Sequence, residues 1–188
     1  METNNQSTAL LVMDMQKGIL NNYPSFPTKL EPVKKAIGYA RKQNIPVIYV
    51  RLALRPGLPE INSNNKMLAG VRDRLGNQSV EEWMQIEETI VPMENEIIIN
   101  KKRVSAFTGS DLEIILRSKG IQHIVLSGIS TSGVVLSTLR EAADKDYRIT
   151  VLSDCCIDPD EEVHRVLTTK IFPRQADVVS VEDWCKLQ

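Results

Sequence analysis

An open α/β fold on a parallel sheet is the architecture this sequence predicts. Apolar, β-rich runs alternate with segments of helical periodicity along the whole chain. Most of the runs are continuously apolar, as in Val47-Ile48-Tyr49-Val50, which suits strands buried on both faces. The helical segments also carry start and stop signals. The first strand is read at Thr8–Met13. A helix follows, opened by a Thr28/Glu31 capping box, repeating Leu30, Val33, Ile37 and Ala40, and ending before Asn44-Ile45-Pro46. Strands at Pro46–Val50 and Glu96–Ile99 come next. Ser110 with Glu113 forms a second box, opening a helix over Leu112–Ser118 that closes at Gly120. A strand at Ile121–Ser127 leads into a helix from about Ser132 to Asp144, and a strand at Arg148–Leu152 follows. Asp158, Pro159 and Glu161 fit N-cap, N1 and N3 of a helix reaching about Ile171, before a last strand at Asp177–Val181. Six strands alternating with helices imply right-handed crossovers.

The stretch from Arg55 to Met93 breaks this rhythm. It holds Pro56, Gly57, Pro59, Asn62, Asn64, Asn65 and Gly76-Asn77, and reads as an irregular insertion with one or two short helices. No repeat or linker divides the 188 residues, so residues 1–188 are expected to form one domain with an insertion at about 55–93.

Composition narrows the function. With 23 Lys+Arg against 24 Asp+Glu, the net charge of -1 offers no electrostatic footprint for nucleic acid. The longest apolar run, Ala9-Leu10-Leu11-Val12-Met13, falls far short of the roughly 20 residues of a membrane span. Met1-Glu2-Thr3-Asn4-Asn5 has neither a basic nor an apolar leader region. Cys155, Cys156 and Cys185 form neither a disulfide framework nor a zinc spacing. A cytoplasmic, reduced protein acting on a small molecule, without metal or cofactor, is the expectation.

In an open α/β sheet, ligands bind beyond the carboxyl ends of the strands. That rule selects Asp14 after the first strand, Asn100-Lys101-Lys102-Arg103 after the third, and Gly128 to Val134 after the fourth. The last opens a helix whose free N–H groups favour negative charge. Each has a plainer reading: a loop-capping carboxylate, solvated lysines, and a packing turn. The Gly128 segment is neither a P-loop nor a dinucleotide fingerprint, and no G-x-S-x-G elbow occurs. A generic nucleotide-binding, flavodoxin-like domain therefore has no phosphate cradle to support it. His123, inside an apolar strand, and His164, inside an amphipathic helix, fit core or capping roles.

The three segments, taken in order, resemble the isochorismatase-like cysteine hydrolase family over essentially the whole chain. The resemblance is carried by Leu10-Leu11-Val12-Met13-Asp14-Met15-Gln16, by Lys102-Arg103-Val104-Ser105-Ala106-Phe107 with Asp111-Leu112, and by Gly128 through Thr138. Arg140-Glu141-Ala142-Ala143-Asp144, Asp154-Cys155-Cys156, His164 and Phe172-Pro173-Arg174-Gln175-Ala176 extend it. It implies a Rossmann-like, three-layer α/β/α fold with six parallel strands in the order 3-2-1-4-5-6, and a homodimer or larger homo-oligomer. Of the family's catalytic Asp, Lys and Cys, it maps Asp onto Asp14 and Lys onto Lys102. Gln16, Phe107, Ile129, Ser130, Ser132 and Gly133 become expected substrate contacts, with a cis peptide at Ile129-Ser130.

The nucleophile does not map. The family reads Gly-x-x-Thr-x-x-Cys-Val-x-x-Thr; here Gly128, Thr131 and Thr138 keep their places while the cysteine position is Val134. Valine forms no covalent adduct. Cys155 and Cys156 match a segment that is not catalytic in the family, and fit small packing residues. Ser130 or Ser132 as a substitute nucleophile lacks an activating His in the pattern. Thiol amidases are therefore disfavoured, and nicotinamidase further so, since Arg51-Leu52-Ala53-Leu54-Arg55 lacks its metal-binding Asp-x-His. True isochorismatases cleave a vinyl ether without a covalent thiol step, the Asp protonating the enol-ether carbon. The expectation is thus a hydrolase of a small anionic or vinyl-ether substrate, with Asp14 as acid/base and Lys102 holding the substrate. The alternative is a catalytically silent member that binds a small ligand or a partner protein.

Overall fold

The computed structural model describes residues 7–23 and 26–186, with the side chains of residues 28 and 29 outside that description. Six parallel strands form one sheet in the order β3-β2-β1-β4-β5-β6. They are β1 (Thr8–Met13), β2 (Val47–Leu52), β3 (Ile97–Lys101), β4 (His123–Ile129), β5 (Arg148–Ile157) and β6 (Asp177–Val179). β1 and β4 lie side by side at the centre, Leu11 opposite Leu126 and Met13 opposite Gly128, and every residue of both is buried.

Alternation along the strands builds a core on each face. Leu11, Met13, Ile48, Val50 and Ile99 face one layer of helices, and Leu10, Val12, Val47 and Tyr49 the other. α1 (Lys17–Leu20) and α2 (Phe26–Lys42) follow β1; α5 (Leu112–Ser118) precedes β4; α6 (Leu136–Asp144), entered through a π-helical turn over Thr131–Val135, follows it. α7 (Glu161–Val166), continued by a π turn at Leu167–Ile171, and α8 (Val181–Trp184) flank β6. The insertion carries α3 (Lys66–Leu75) and α4 (Val80–Trp83) and has its own small core, where Leu54, Leu58, Ile61, Leu68, Val71 and Trp83 are buried together.

Several boundaries depart from the sequence reading. β3 extends through Asn100 and Lys101 because it pairs with β2 there, Arg51 Nε donating to Asn100 Oδ1 at 2.7 Å. β5 runs on to Ile157, so Cys155 and Cys156 lie inside the strand, with a register irregularity opposite Leu126–Gly128. α2 starts at Phe26, ahead of the Thr28 cap, whose side chain lies outside the described residues, as does the N-terminal pentapeptide. α5 closes as expected, with Gly120 in the left-handed region (φ 66°) and Ile121 N–H donating to Leu116 O. Its start differs from the expected box: Asp111, not Ser110, is the N-cap, and Ser110 Oγ accepts from Leu112 N–H. Asp160, not Asp158, caps α7, its carboxylate accepting from Glu162 and Val163 N–H. Asp158 instead reaches across to the start of the π turn, where its Oδ2 accepts from Ser132 N–H at 2.7 Å.

Candidate active site

Asp14 follows β1 directly with a positive φ of 58°, unusual for a residue other than glycine, and its N–H donates to Val50 O at 2.8 Å. This bend turns the carboxyl beyond the carboxyl ends of the central strands, where it is 6 % exposed. Its partner is Lys101, 1 % exposed, with Nζ 2.9 Å from Asp14 Oδ2. The other two ammonium donors go to Arg103 O at 2.9 Å and Val104 O at 3.0 Å. An ammonium has three donors, so Lys101 is saturated by the protein.

Lys102, expected in this place, lies elsewhere. Its Nζ donates to Ala53 O at 2.5 Å and stands 3.9 Å from Glu60, clasping the insertion to the end of β3. The reason is strand parity: Ile97, Ile99 and Lys101 share one face, and Lys102 falls on the other. The lysine beside Asp14 is therefore Lys101.

Asp14 Oδ1 is buried and has no hydrogen-bond partner among the described residues. Burial pushes the Asp14 carboxyl above the ordinary carboxylate range; the Lys101 charge and hydrogen bond, and the Leu52 N–H, pull it the other way without cancelling the effect. The Leu52 N–H is itself given to Gln16 Oε1 at 2.7 Å.

Asp14 and Lys101 stand in a cavity of about 330 Å³ that Ile129, Ser130, Gly133 and Val134 also line. The sequence selected these four, together with Asp14. The cis peptide is at Ile129-Ser130. Gly133 is required by close approach: a Cβ there would meet Ser130 Oγ at 2.6 Å. Burial raises the pKa of Tyr23, another residue of the cavity wall, while neighbouring Ser130 lowers it. Two N–H groups of the π turn stay within it, Gly133 and Val135 both donating to Ser130 O.

Three expected contacts are not among the cavity walls. Ser132 is exposed and held by Asp158. Phe107 packs in the core against Tyr147, their ring centroids 5.9 Å apart. Gln16 is fully buried, its amide spent on Leu52 N–H, Leu52 O and Met84 O, bracing β2 against the insertion. All three carry groups that the chain itself consumes. His164 stands close by instead, its Nδ1 2.8 Å from Thr131 Oγ1.

The walls that sequence reasoning missed come mainly from two places. The insertion contributes Met67, Leu68, Val71, Arg74 and Trp83, and the segment after β3 contributes Val104, next to Arg103, which the strand-end rule had selected. The apolar members at 68 and 71 have helical spacing, but nothing local assigns them to the site. Cys155 and Cys156 do not line the cavity. Burial raises the pKa of both thiols, Cys156 to about 12, so neither supplies a thiolate near neutrality. Among the described residues, no group of three His, Cys, Asp or Glu side chains could hold a metal ion, and no helix is long and apolar enough to cross a membrane.

An αL aspartate ion-paired to a buried lysine beneath a cis-peptide turn, on a sheet ordered 3-2-1-4-5-6, defines a class, and comparison with known proteins identifies it. The isochorismatase domain model matches residues 8–183, and the chain belongs to the isochorismatase family. It is 35% identical to the isochorismatase family protein YecD of Escherichia coli, with 97% of each chain covered. It is 30% identical to the ureidoacrylate amidohydrolase RutB of Pseudomonas syringae, covering 95% of this chain and 82% of that one. The crystal structure of a cysteine hydrolase from Pseudomonas syringae pv. phaseolicola superposes with a TM-score of 0.87 at 23% identity, covering 99% of this chain and 94% of that one, a likeness of fold.

Proposed function

We propose that this protein is an isochorismatase-family hydrolase of a small anionic or vinyl-ether substrate, working without a covalent cysteine intermediate. The observation that carries the reading is Asp14: a buried carboxyl with one oxygen unpartnered at the cavity, in a site whose helix start presents Val134 and no thiol. Burial favours the protonated carboxyl, the form a general acid needs. Lys101, with all three donors used, holds Asp14 in place rather than holding substrate. In vinyl-ether cleavage the Asp14 proton goes to the enol-ether carbon. Water adds to the resulting oxocarbenium ion, and the hemiketal collapses to carbonyl and alcohol, returning a proton to Asp14.

The kinship with an amidohydrolase supports a neighbouring version of the same reading. Val134 removes the thioester route but not direct attack by water on an amide, with Asp14 handling the proton, so amide substrates stay within the proposal. The second reading is a silent member that binds a ligand through the same cavity; the valine at the nucleophile position favours it.

The test is turnover of isochorismate, read as pyruvate release, and of ureidoacrylate, read as ammonia release. Wild type turns over at least one of them, more slowly as pH rises through the elevated Asp14 pKa if the vinyl ether is the substrate. Asp14→Asn then loses about 10²-fold or more, the usual weight of a general acid or base. Activity untouched by Asp14→Asn overturns the mechanism. An inert wild type whose Val134→Cys variant gains amidase activity establishes the silent reading.

A further inference from the structure

The cavity carries more positive charge than its own residues neutralise. Asp14, even when ionised, offsets no more than the charge of Lys101. Arg74, from α3 on the insertion, and Arg103, just after β3, also line the cavity. Among the described residues neither guanidinium has a carboxylate within ion-pairing distance; Arg103 Nη1 donates to Lys102 O at 2.7 Å and Arg74 Nη2 to Met67 O at 3.3 Å. Each therefore keeps most of its five donors unspent. The Tyr23 hydroxyl, also on the wall, feels the Asp158 charge and, more weakly and in the opposite sense, that of Arg74. The indole N–H of Trp83, another lining residue, is buried with no partner among the described residues. The remaining walls, such as Ile19, Leu52, Leu68 and Val71, are apolar.

We infer that Arg74 and Arg103 are the anion anchors of this site, and that its ligand is a small carboxylate on a compact apolar body. Guanidinium groups match a carboxylate with paired N–H donors; Arg103 is half-buried, while Arg74 is exposed. Lys101 cannot take this part, because its ammonium is already saturated. The ligand's body fills the apolar space between Leu68 and Val71 on one side and Ile129 and Val134 on the other. The inference rests on the cavity being the substrate site and assigns the group that recognises substrate charge. Arg74 belongs to the insertion, so charge recognition and the reacting carboxyl sit on separate elements, and specificity can vary with the insertion while Asp14 stays in place.

The experiment is calorimetric titration of the full chain with benzoate and with benzamide, its neutral isostere. Benzoate binds at least tenfold more tightly than benzamide. Arg74→Gln and Arg103→Gln each weaken benzoate at least fivefold, leave benzamide unchanged, and keep the wild-type circular dichroism spectrum. Equal binding of the two probes, no binding of either at millimolar concentration, or Arg variants that keep the benzoate preference would overturn it. Asp14→Asn retains benzoate binding. A failure of the Asp14 chemistry therefore leaves this result standing, and loss of the charge preference leaves the Asp14 result standing.

Discussion

At the scale of single residues, two adjacent lysines have opposite fates. Lys101 is a buried cation whose removal strands Asp14 without its counter-charge; Lys102 is a partly exposed clasp. Lys101→Met is expected to cost about 3 kcal/mol of unfolding free energy, as for a buried pair broken on one side. Lys102→Met loses one bond to Ala53 O and a long contact to Glu60, and is expected to cost about 1 kcal/mol. Urea denaturation of the two variants distinguishes them, and equal losses would contradict the assignment. The difference was within reach of the sequence. Ile97 and Ile99 set the inward parity of β3, and Lys101 continues it by two while Lys102 does not. Asp14, Ile129, Ser130, Gly133 and Val134 were legible because strand ends and the turn after β4 put them at one sheet edge whatever else the chain does. Gln16, Phe107 and Ser132 were misjudged because proximity in sequence to a site says nothing about which partners consume a side chain.

At the scale of elements, the exit of β1 is laced to the return of the insertion. Gln16 bridges to Ile86, Lys17 N–H donates to Gln85 O, and Glu87 N–H donates to Met15 O. α1 can lie against α4 only because Gly18 leaves room for the Trp83 ring; a Cβ there would stand 2.0 Å from Trp83 Cδ1. Gly18→Ala must therefore displace Trp83 from its buried place on the cavity wall. It is expected to cost about 2–3 kcal/mol, the range of an overpacked core, despite the better helix propensity of alanine. Thermal melting measures the loss, and a shift in tryptophan emission reports the movement; an unchanged melting temperature would refute the packing argument. The insertion's sequence predicts only one or two short helices, since Pro56, Gly57, Pro59 and the asparagines obscure any period. Their contribution to the site depends on contacts made across the sheet edge, which no local pattern encodes.

At the scale of the whole molecule, the two ends of the sheet do different work. The carboxyl end holds Asp14 and the cavity. Near the other end, His123 is buried between Thr8 and Thr150, its ring nitrogens 3.2 and 2.9 Å from their hydroxyls. Burial and then the Arg148 charge lower its pKa to about 4, from 6.5. A folded-state pKa below the unfolded value means that the unfolded chain binds the proton more readily, so stability is full above about pH 6.5 and falls toward pH 4. The shift corresponds to about 3 kcal/mol. Denaturation from pH 7 to pH 4 should show that loss in wild type and a flatter profile in His123→Gln, while a histidine titrating normally in the folded protein would refute it. Six alternating strands, and the absence of a cysteine from the Gly128 turn, were readable from the residues alone. Hydrophobic periodicity and residue identity are local properties. Only tertiary packing decided which polar side chains the fold spends on itself, and that Arg74 and Trp83 reach the cavity from the insertion. Each of those depends on burial or a contact between segments far apart in the chain, and such contacts exist only once the chain has packed.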